Sequence, residues 1–327
     1  MTSKDLFDVL YKEFSQPERS MSFILTGKPG CGKTAIATQA ATKARKQLMV
    51  FALPTCEAVD LRGLPSIVDG RTVWHNPLPR EGEGVVILDE LSSAAPDVQV
   101  AAHHLMWSET GSDMSLPAGW HIVATGNSAT DKTLYRAPSA PLRNRCQLIS
   151  VETDAEQWVN WAMAANINAA ILGFIRWRPE LIVAKEVPGE GAFPSPRAWE
   201  RASHVISFAV SAEVERELLV GTIGEGATTE FVAYLRTVRE LPSITSILED
   251  PTTAEVPRSP SLLYALVSNL AQFTRQSKRS AMPYITRMPA EFALLWIRDV
   301  RDHYDITTDK DVRTWIGKHK SLFEREI

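Results

Sequence analysis

The sequence feature that most constrains what this chain can fold into is the segment GKPGCGKT, Gly27–Thr34. It follows the apolar run Phe23–Leu25 and precedes an alanine-rich stretch, residues 35–46. Three glycines in the segment let backbone N–H groups turn toward an anion, where side chains with a Cβ would obstruct it. A helix that starts at the end of the segment adds the positive end of its dipole. The pattern therefore predicts a phosphate-binding loop between a strand and a helix.

The residues of this loop have predicted roles toward a nucleoside triphosphate. Lys33 would bridge the β- and γ-phosphates, and the Thr34 hydroxyl would bind Mg²⁺. Cys31 is interpreted as a neutral small residue. The alternative for the whole segment is a glycine-rich turn without a ligand. The positions expected to contact the nucleotide are Gly27, Lys28, Pro29, Gly30, Cys31, Gly32, Lys33, Thr34 and Ala35.

A second segment, VVILDE at Val85–Glu90, has the pattern of an apolar strand that ends in two acids. Buried carboxylates are costly unless they face a cation or solvent, and ligands of α/β sheets bind outside the carboxyl ends of the strands. Asp89 would therefore hold Mg²⁺ through water, and Glu90 would be the general base for the attacking water. The alternative is a strand whose terminal acids are merely solvated.

Three further positions are candidates for a catalytic role. The segment HIVATGN predicts a third strand that ends at Asn127, whose amide would orient the attacking water. The alternative is an Asn that caps a turn before Ser128. In PLRNRC, Arg143 and Arg145 would reach the γ-phosphate bound to a neighbouring subunit, as arginine fingers do. The alternative there is a solvated charge cluster.

Arg197 is a candidate for a different reason. Ser195 is predicted to cap a helix and Pro196 to take its first position, which places Arg197 in the first turn. The helix dipole repels a cation there unless an anion lies nearby. A γ-phosphate would supply that anion, and the alternative is an arginine extended into water.

Strand and helix patterns alternate over the first half of the chain, which predicts a mostly parallel sheet with helices on both faces. The expected strands are residues 22–26, 48–53, 85–88, 121–125 and 146–151. A hairpin turning at Asp69-Gly70 is expected between the second and third of them. After residue 151 the pattern becomes helical. Helices are expected at 167–176, 196–211, 213–237, 261–277 and 289–304, with a linker at 241–260 and a further helix around 312–323.

The composition limits the expected partners and location. Of 327 residues, 23% are charged, and the net charge of −4 gives no overall attraction to nucleic acid or anionic membranes. The three cysteines, Cys31, Cys56 and Cys146, predict neither a disulfide framework nor a zinc site. Because there is no signal peptide and no apolar run of about 18 residues, we expect a soluble, cytoplasmic protein without a membrane partner.

The order of these motifs resembles the layout of the AAA+ ATPases. Lys33 and Thr34 take the place of Walker A, and Asp89 and Glu90 that of Walker B. Asn127 takes the place of sensor 1, the Arg143–Arg145 pair that of the arginine finger, and Arg197 that of sensor 2. The segments DLRG, PLPREGEGVVILDELSSAAPDVQ, APSAPLRNR and SPRA look like the MoxR branch, which bacteria and phages encode. The resemblance covers about residues 20–235.

The resemblance implies an architecture and an activity. It implies an α/β nucleotide-binding domain with a five-stranded parallel sheet over residues 1–151, a helical lid over 152–240 and a C-terminal helical extension over 241–327. It also implies Mg²⁺-dependent ATP hydrolysis between subunits of a ring, usually hexameric, which remodels a protein partner. That partner often carries a von Willebrand factor A domain. By position the finger falls on Arg145, with Arg143 as the alternative.

Two segments are expected by the same resemblance to contact the protein partner. The first is the hairpin of residues 60–74, with Arg62, Arg71 and Trp74 as candidates, although a packed surface hairpin explains them equally well. The second is a hairpin expected at residues 110–119.

A different class of function stays open, namely a DNA-directed AAA+ motor or loader. The basic residues Arg275, Lys278, Arg279 and Arg287 would be its contacts, and the alternative is a solvated face. The sequence contains no helix-turn-helix, zinc-finger or strongly basic domain pattern, which weighs against this function. A scaffold that binds ATP without turnover is a third alternative, and the acid at Glu90 weighs against it.

Overall fold

The computed structural model describes residues 1–107, 115–128 and 136–322. The chain forms two compact units. The first comprises Met1–Asp154 together with Lys185–Gly189, and the second comprises Ala155–Ala184 together with Glu190–Ile327.

The first unit is built around a five-stranded parallel sheet in the order β2-β5-β6-β1-β7. This confirms the predicted α/β fold with a parallel sheet. β1 lies between the central strand β6 and the edge strand β7, and the chain leaves it toward the opposite edge strand β2, so a ligand crevice is expected at its carboxyl end. In chain order the elements are α1 (Ser3–Phe14), β1 (Phe23–Thr26), α2 (Lys33–Lys43), β2 (Gln47–Ala52), α3 (Ala58–Arg62), β3 (Leu64–Val68), β4 (Arg71–His75), β5 (Gly84–Asp89), α4 (Pro96–Trp107), β6 (Trp120–Gly126), α5 (Ala140–Arg145) and β7 (Gln147–Ser150).

The central strands are buried on both faces, as expected for a parallel sheet between two helical layers. Val86 and Leu88 of β5 belong to an apolar cluster with α4, and Val85 and Ile87 belong to a second cluster with α1 and α2. Every residue of β6 is buried. Polar side chains of the site are consequently placed where these strands end.

A two-stranded antiparallel hairpin, β3–β4, is inserted between β2 and β5. Its turn residues Asp69 and Gly70 have φ of 52° and 74°, the backbone that a two-residue hairpin turn requires. Arg62 at the end of α3 lies 5.6 Å from the ring centroid of Trp74. In the second predicted hairpin, residues 110–114 lie outside the described residues, and residues 115–119 form no strand.

The second unit is helical throughout its described residues. Residues from α6 to α15 contribute to one apolar cluster, with Phe174, Trp199, Phe231 and Trp296 among its largest fully buried side chains. The predicted boundary at residue 240 between lid and extension stays a prediction, since residues on both sides join this cluster. The helices are α6 (Ala155–Ala164), α7 (Ala169–Trp177), α8 (Pro196–Phe208), α9 (Ala212–Ile223), α10 (Glu225–Arg239), α11 (Ile244–Glu249), α12 (Pro260–Ser277), α13 (Met282–Ile285), α14 (Ala290–Val300) and α15 (Lys310–Lys318).

Two local predictions for this unit were wrong. The single helix expected at 213–237 is divided into α9 and α10 at Gly224, whose φ is 82°. A Cβ on Gly224 would lie 2.4 Å from the carbonyl oxygen of Ala192, so a tertiary contact enforces the break. The expected linker at 241–260 contains a helix, α11, which Ser243 caps by accepting the N–H of Ser246. Of the helix expected near the end, residues 310–318 form α15, and Phe323 lies outside the described residues.

No helix in the described part of the chain is long and apolar enough to cross a membrane.

Candidate functional site: a phosphate loop at the carboxyl edge of the sheet

The connection between β1 and α2 is a tight loop whose shape depends on glycine. Gly32, which caps α2, has φ of 91° in the left-handed region. A Cβ on Gly27 would lie 2.7 Å from the carbonyl oxygen of Val151, so the close approach of the two backbones excludes a side chain there. No side chain caps the start of α2. The first N–H groups of this helix therefore point into the loop, as in an anion site.

Lys33 is held inside this loop. Its side chain is buried, and Nζ donates to the carbonyl oxygens of Gly27 at 2.8 Å and Lys28 at 3.0 Å. Nζ also lies 3.8 Å from Sγ of Cys31. The ammonium group is consequently fixed at the centre of the loop, where phosphate oxygens would be bound.

The loop has a contact that the sequence did not indicate. Nζ of Lys28 donates to the carbonyl oxygen of Lys185 at 2.9 Å. Residues 185–189, which are distant in sequence, belong to the same compact unit as the loop.

Thr34 and Asp89 meet at the end of β5. The Thr34 hydroxyl donates to Oδ1 of Asp89 at 2.6 Å. One hydroxyl and one carboxylate are oxygen ligands of the kind that Mg²⁺ takes in nucleotide sites, where it keeps several waters. Among the described residues, no three His, Cys, Asp or Glu side chains cluster as a metal site. The two oxygen donors fit an Mg²⁺ ion whose other ligands are phosphate oxygens and water.

Thr125 of β6 contacts both Asp89 and Glu90, and the sequence alone did not predict a role for it. Its hydroxyl donates to Oδ1 of Asp89 and accepts the N–H of Glu90 at 3.1 Å. Leu88 pairs with Ala124 in the sheet, so Thr125 lies beside Asp89. The signal in the sequence is the single hydroxyl side chain of this strand, and it becomes interpretable only with the strand register.

Glu90 has a left-handed backbone, with φ of 59° and ψ of 40°. For a residue with a Cβ this conformation costs on the order of 1–2 kcal/mol. The turn is held by the bond to Thr125 and by the N–H of Ser93, which donates to the Glu90 carbonyl at 2.9 Å. Strain of this kind is concentrated at functional sites.

Asn127 lies beyond the end of β6, at the same edge of the sheet. Its N–H donates to Oγ of Ser92 at 2.8 Å, and Ser92 belongs to the turn that follows Glu90. The structure thus brings the phosphate loop, Asp89, Glu90 and Asn127 together at the carboxyl ends of β1, β5 and β6.

The two candidate finger arginines lie near the opposite, amino ends of the strands. Arg143 and Arg145 are exposed in α5, directly before the amino end of β7. Thr26, where the phosphate loop begins, pairs with Ser150. The three steps of β7 from Gln147 to Ser150 advance about 10 Å at about 3.3 Å per residue, and Arg145 lies before them, at the amino end of the strand. Cys146, which follows it, is a buried neutral thiol, because burial raises its pKa to about 11.

Arg197 lies in the second unit, in the first turn of α8. Ser195 caps this helix by accepting the N–H of Ala198 at 3.2 Å, and Pro196 takes the first helical position, both as predicted. The Arg197 side chain is exposed. Its role toward a phosphate remains a prediction.

Residues 22–146 match the family model described as the AAA domain of the dynein-related subfamily. A search of curated proteins found no match. Among solved structures, the chain is similar to a point mutant of RuvB from Thermotoga maritima, with 16% sequence identity over 87% of each chain and a TM-score of 0.40. The core has the AAA+ P-loop NTPase fold, as the family match and the sheet order show, and the family match indicates a nucleotide-dependent activity.

Proposed function

We propose that this protein is an Mg²⁺-dependent ATPase that works as an oligomer, with each ATP bound by one subunit and its site completed by the next. The observation that supports the shared site is the placement of Arg145. It lies before the amino end of β7, whereas the phosphate loop of its own chain begins at Thr26, level with Ser150 at the carboxyl end of β7. We propose that the γ-phosphate it serves is bound by a neighbouring subunit.

The chemistry assigned to the site is phosphoryl transfer to water. Lys33 and the N–H groups at the start of α2 hold the phosphates. Thr34 and Asp89 hold Mg²⁺, which neutralises charge on the phosphate oxygens. Glu90 accepts the proton of the attacking water, and Asn127 orients that water. Arg145, with Arg143 as the alternative, stabilises charge on the γ-phosphate from the neighbouring subunit, and Arg197 assists from the helical unit.

At a finer level we propose a MoxR-type remodelling ATPase in the cytoplasm, with a hexameric ring and a protein partner bearing a von Willebrand factor A domain. The segments DLRG and SPRA and the region around Val85–Glu90 support this branch. The inserted β3–β4 hairpin, on which Leu64 and Ile67 are exposed, is available for a protein contact.

The basic residues that would favour a DNA-directed motor are mostly engaged within the chain. Arg275 donates to the carbonyl of Asp299, Lys278 to that of His303, and Arg287 to those of Pro251 and Ala254. ATPase assays with single-stranded DNA, duplex DNA or a candidate protein partner separate the two functions. Stimulation by DNA alone that falls steeply with salt would favour the motor.

Replacing Glu90 by Gln tests the hydrolytic function. We expect Glu90→Gln to bind ATP as the parent does and to lower kcat by roughly 10²–10⁴-fold, the usual contribution of a general base. Lys33→Ala should instead weaken binding of a fluorescent ATP analogue. Glu81→Gln is the matched control, since Glu81 is an exposed acid near the amino end of β5, the strand that Glu90 follows. Phosphate release at the parent rate in Glu90→Gln would remove Glu90 from this role.

A further inference from the structure

The last residue of α4 and the last residue of α5 form a close aromatic–cation pair. Cζ of Arg145 lies 3.5 Å from the centroid of the Trp107 ring, so the guanidinium group stacks on the indole. The other cation–ring contacts among the described residues are longer, from 4.7 to 5.7 Å. This pair lies at the amino edge of the sheet.

Trp107 does not serve as a core residue. Its side chain is 52% exposed, and it does not join the apolar cluster to which the preceding residues Leu105 and Met106 belong. A single exposed tryptophan is common on protein surfaces, and the specific feature of this one is the position of its ring face against a guanidinium group. The ring face against Arg145 is the contact that accounts for its placement.

The stack leaves the hydrogen-bonding edge of Arg145 available. A guanidinium group that lies on a ring presents its N–H donors in its own plane, where they can bind an oxyanion in bidentate fashion. Within the described part of the chain, the Arg145 side chain makes no hydrogen bond and no ion pair. Arg143, two residues earlier on the same short helix, is exposed and has no ring contact with any residue that the structure describes.

We propose that Trp107 is a positioning residue for Arg145 and that it makes Arg145, rather than Arg143, the arginine that completes the neighbouring site. The indole restricts the flexible side chain to one orientation before the subunits meet, with the donors directed away from the ring. This inference rests on the proposed function, in which Arg145 acts on ATP held by another subunit.

The test uses two variants that are each inactive and complement one another. Subunits with Lys33→Ala do not bind ATP but donate Arg145, whereas subunits with Arg145→Ala bind ATP but donate no arginine. Equal mixtures are expected to recover part of the hydrolysis. Trp107→Ala is then added either to the donor or to the acceptor, and the recovered kcat and the KM for ATP are measured.

In the donor, Trp107→Ala is expected to lower the recovered kcat by about two- to five-fold, the effect of losing an exposed cation–π contact, with KM unchanged. In the acceptor, which already carries Arg145→Ala, the same change has no Arg145 to position. We therefore expect the recovered kcat to equal that of the mixture without Trp107→Ala. Trp107→Leu, which keeps apolar bulk without a ring, should behave as Trp107→Ala, and Trp107→Phe should restore most of the rate. Trp107→Leu also replaces Trp107→Ala if the smaller side chain impairs folding.

Several outcomes would overturn the proposal. An equal loss in donor and acceptor would identify Trp107 as a structural residue, and no loss in either would remove it from the site. Loss of rescue on adding Arg143→Ala to the donor, with Arg145 intact, would transfer the finger to Arg143. Absence of rescue in every mixture would reject the shared site itself. The Glu90→Gln experiment distinguishes this failure from failure of the hydrolytic function, because it tests the chemistry within one subunit and does not depend on an arginine from another.

Discussion

Asp89 is the residue on which the geometry of the candidate site converges. One of its oxygens, Oδ1, accepts the hydroxyls of both Thr34 and Thr125. Two donors fix the carboxylate rotamer, and hydrogen bonds to an ionised acceptor are roughly twice as strong as those between neutral groups. Because Thr125 also accepts the N–H of Glu90, one hydroxyl connects the proposed metal-binding acid, Asp89, to the backbone of the proposed base, Glu90.

Thr125→Val tests this coupling, since valine has the shape of threonine without the hydroxyl. We expect a loss of about 1–3 kcal/mol in the free energy of unfolding, because a buried N–H and a carboxylate each lose a partner. We also expect a higher Mg²⁺ concentration at half-maximal hydrolysis. Chemical denaturation and an Mg²⁺ titration of ATP turnover measure the two effects. Thr125→Ser keeps the hydroxyl and is the control. Equal unfolding free energies and equal Mg²⁺ requirements in the Val and Ser variants would show that the hydroxyl does not cause either effect.

The placement of Lys33, Thr34, Asp89 and Glu90 at the carboxyl ends of the strands could be predicted from the sequence, because each lies in a short motif in which spacing determines geometry. Thr125 and Trp107 could not, because their significance depends on which residue lies opposite in the neighbouring strand or helix. Arg143 and Arg145 differ in the sequence only by position, and a ring contact from a distant helix distinguishes them.

Among the elements, α1 is attached to the sheet by both apolar and charged contacts. Leu6, Leu10 and Phe14 are fully buried beneath it. Glu13, also buried, accepts the N–H groups of Ser20 at 2.8 Å and Met21 at 3.0 Å. Its carboxylate lies 3.4 Å from Nδ1 of the fully buried His121 in β6. Glu13 and His121, both titratable, therefore connect α1 to β6, the central strand of the sheet.

The pKa shifts of Glu13 and His121 both predict that the contact between α1 and β6 is less stable in acid. Burial acts to raise the pKa of Glu13, but the hydrogen bonds from Ser20 and Met21 outweigh it, so this pKa is lowered. Its contribution to stability is complete above about pH 4.3, the unfolded value, and is lost as the pH falls through the folded pKa. Burial lowers the pKa of His121. Below about pH 6.5 the unfolded chain therefore takes up the proton more readily, and stability falls.

We accordingly expect the free energy of unfolding to fall as the pH decreases below about 6.5, through His121, and to fall further below about 4.3, through Glu13. His121→Gln removes one titrating group and should flatten the upper part of this range. Denaturant unfolding of parent and variant at pH 8 is the internal control. At that pH His121 is unprotonated in both the folded and the unfolded chain, so any difference between the two proteins reflects packing alone. A parallel pH dependence in the two proteins would contradict the assignment to His121.

Most element boundaries could be predicted because hydrophobic period and cap residues are local signals. β1, β5 and β6 lie within about two residues of the predicted strands. The division between α9 and α10 could not be predicted, since Gly224 is excluded from a continuous helix by the distant Ala192 carbonyl. The short α11 was predicted as part of a linker for a different reason, since proline and polar residues dominate its surroundings.

At the scale of the whole molecule, the two parts of the proposed shared site lie at opposite ends of the strands. The phosphate loop lies at the carboxyl edge, and Arg145 with Trp107 lies at the amino edge. A closed ring uses both edges of every subunit, whereas a monomer uses neither completely. The parallel sheet could be predicted from the sequence, but this division depends on strand register.

The division predicts that turnover per subunit increases with protein concentration until assembly is complete. Phosphate release measured over a wide dilution series should show this increase, because dilution separates each nucleotide from its trans arginine. Sedimentation of Glu90→Gln with ATP and Mg²⁺ should show the assembled species without hydrolysis. A strictly monomeric protein whose turnover per subunit is independent of concentration would contradict the shared site.

The carbonyl contacts of Lys33 have a consequence for which molecules the loop can retain. A ligand that draws the ammonium away from the oxygens of Gly27 and Lys28 has to offer acceptors of greater basicity than an amide. The oxygens of a polyphosphate satisfy that condition, whereas a bare nucleoside, however well its base and sugar match, carries no formal negative charge. The loop therefore discriminates by charge before it discriminates by shape.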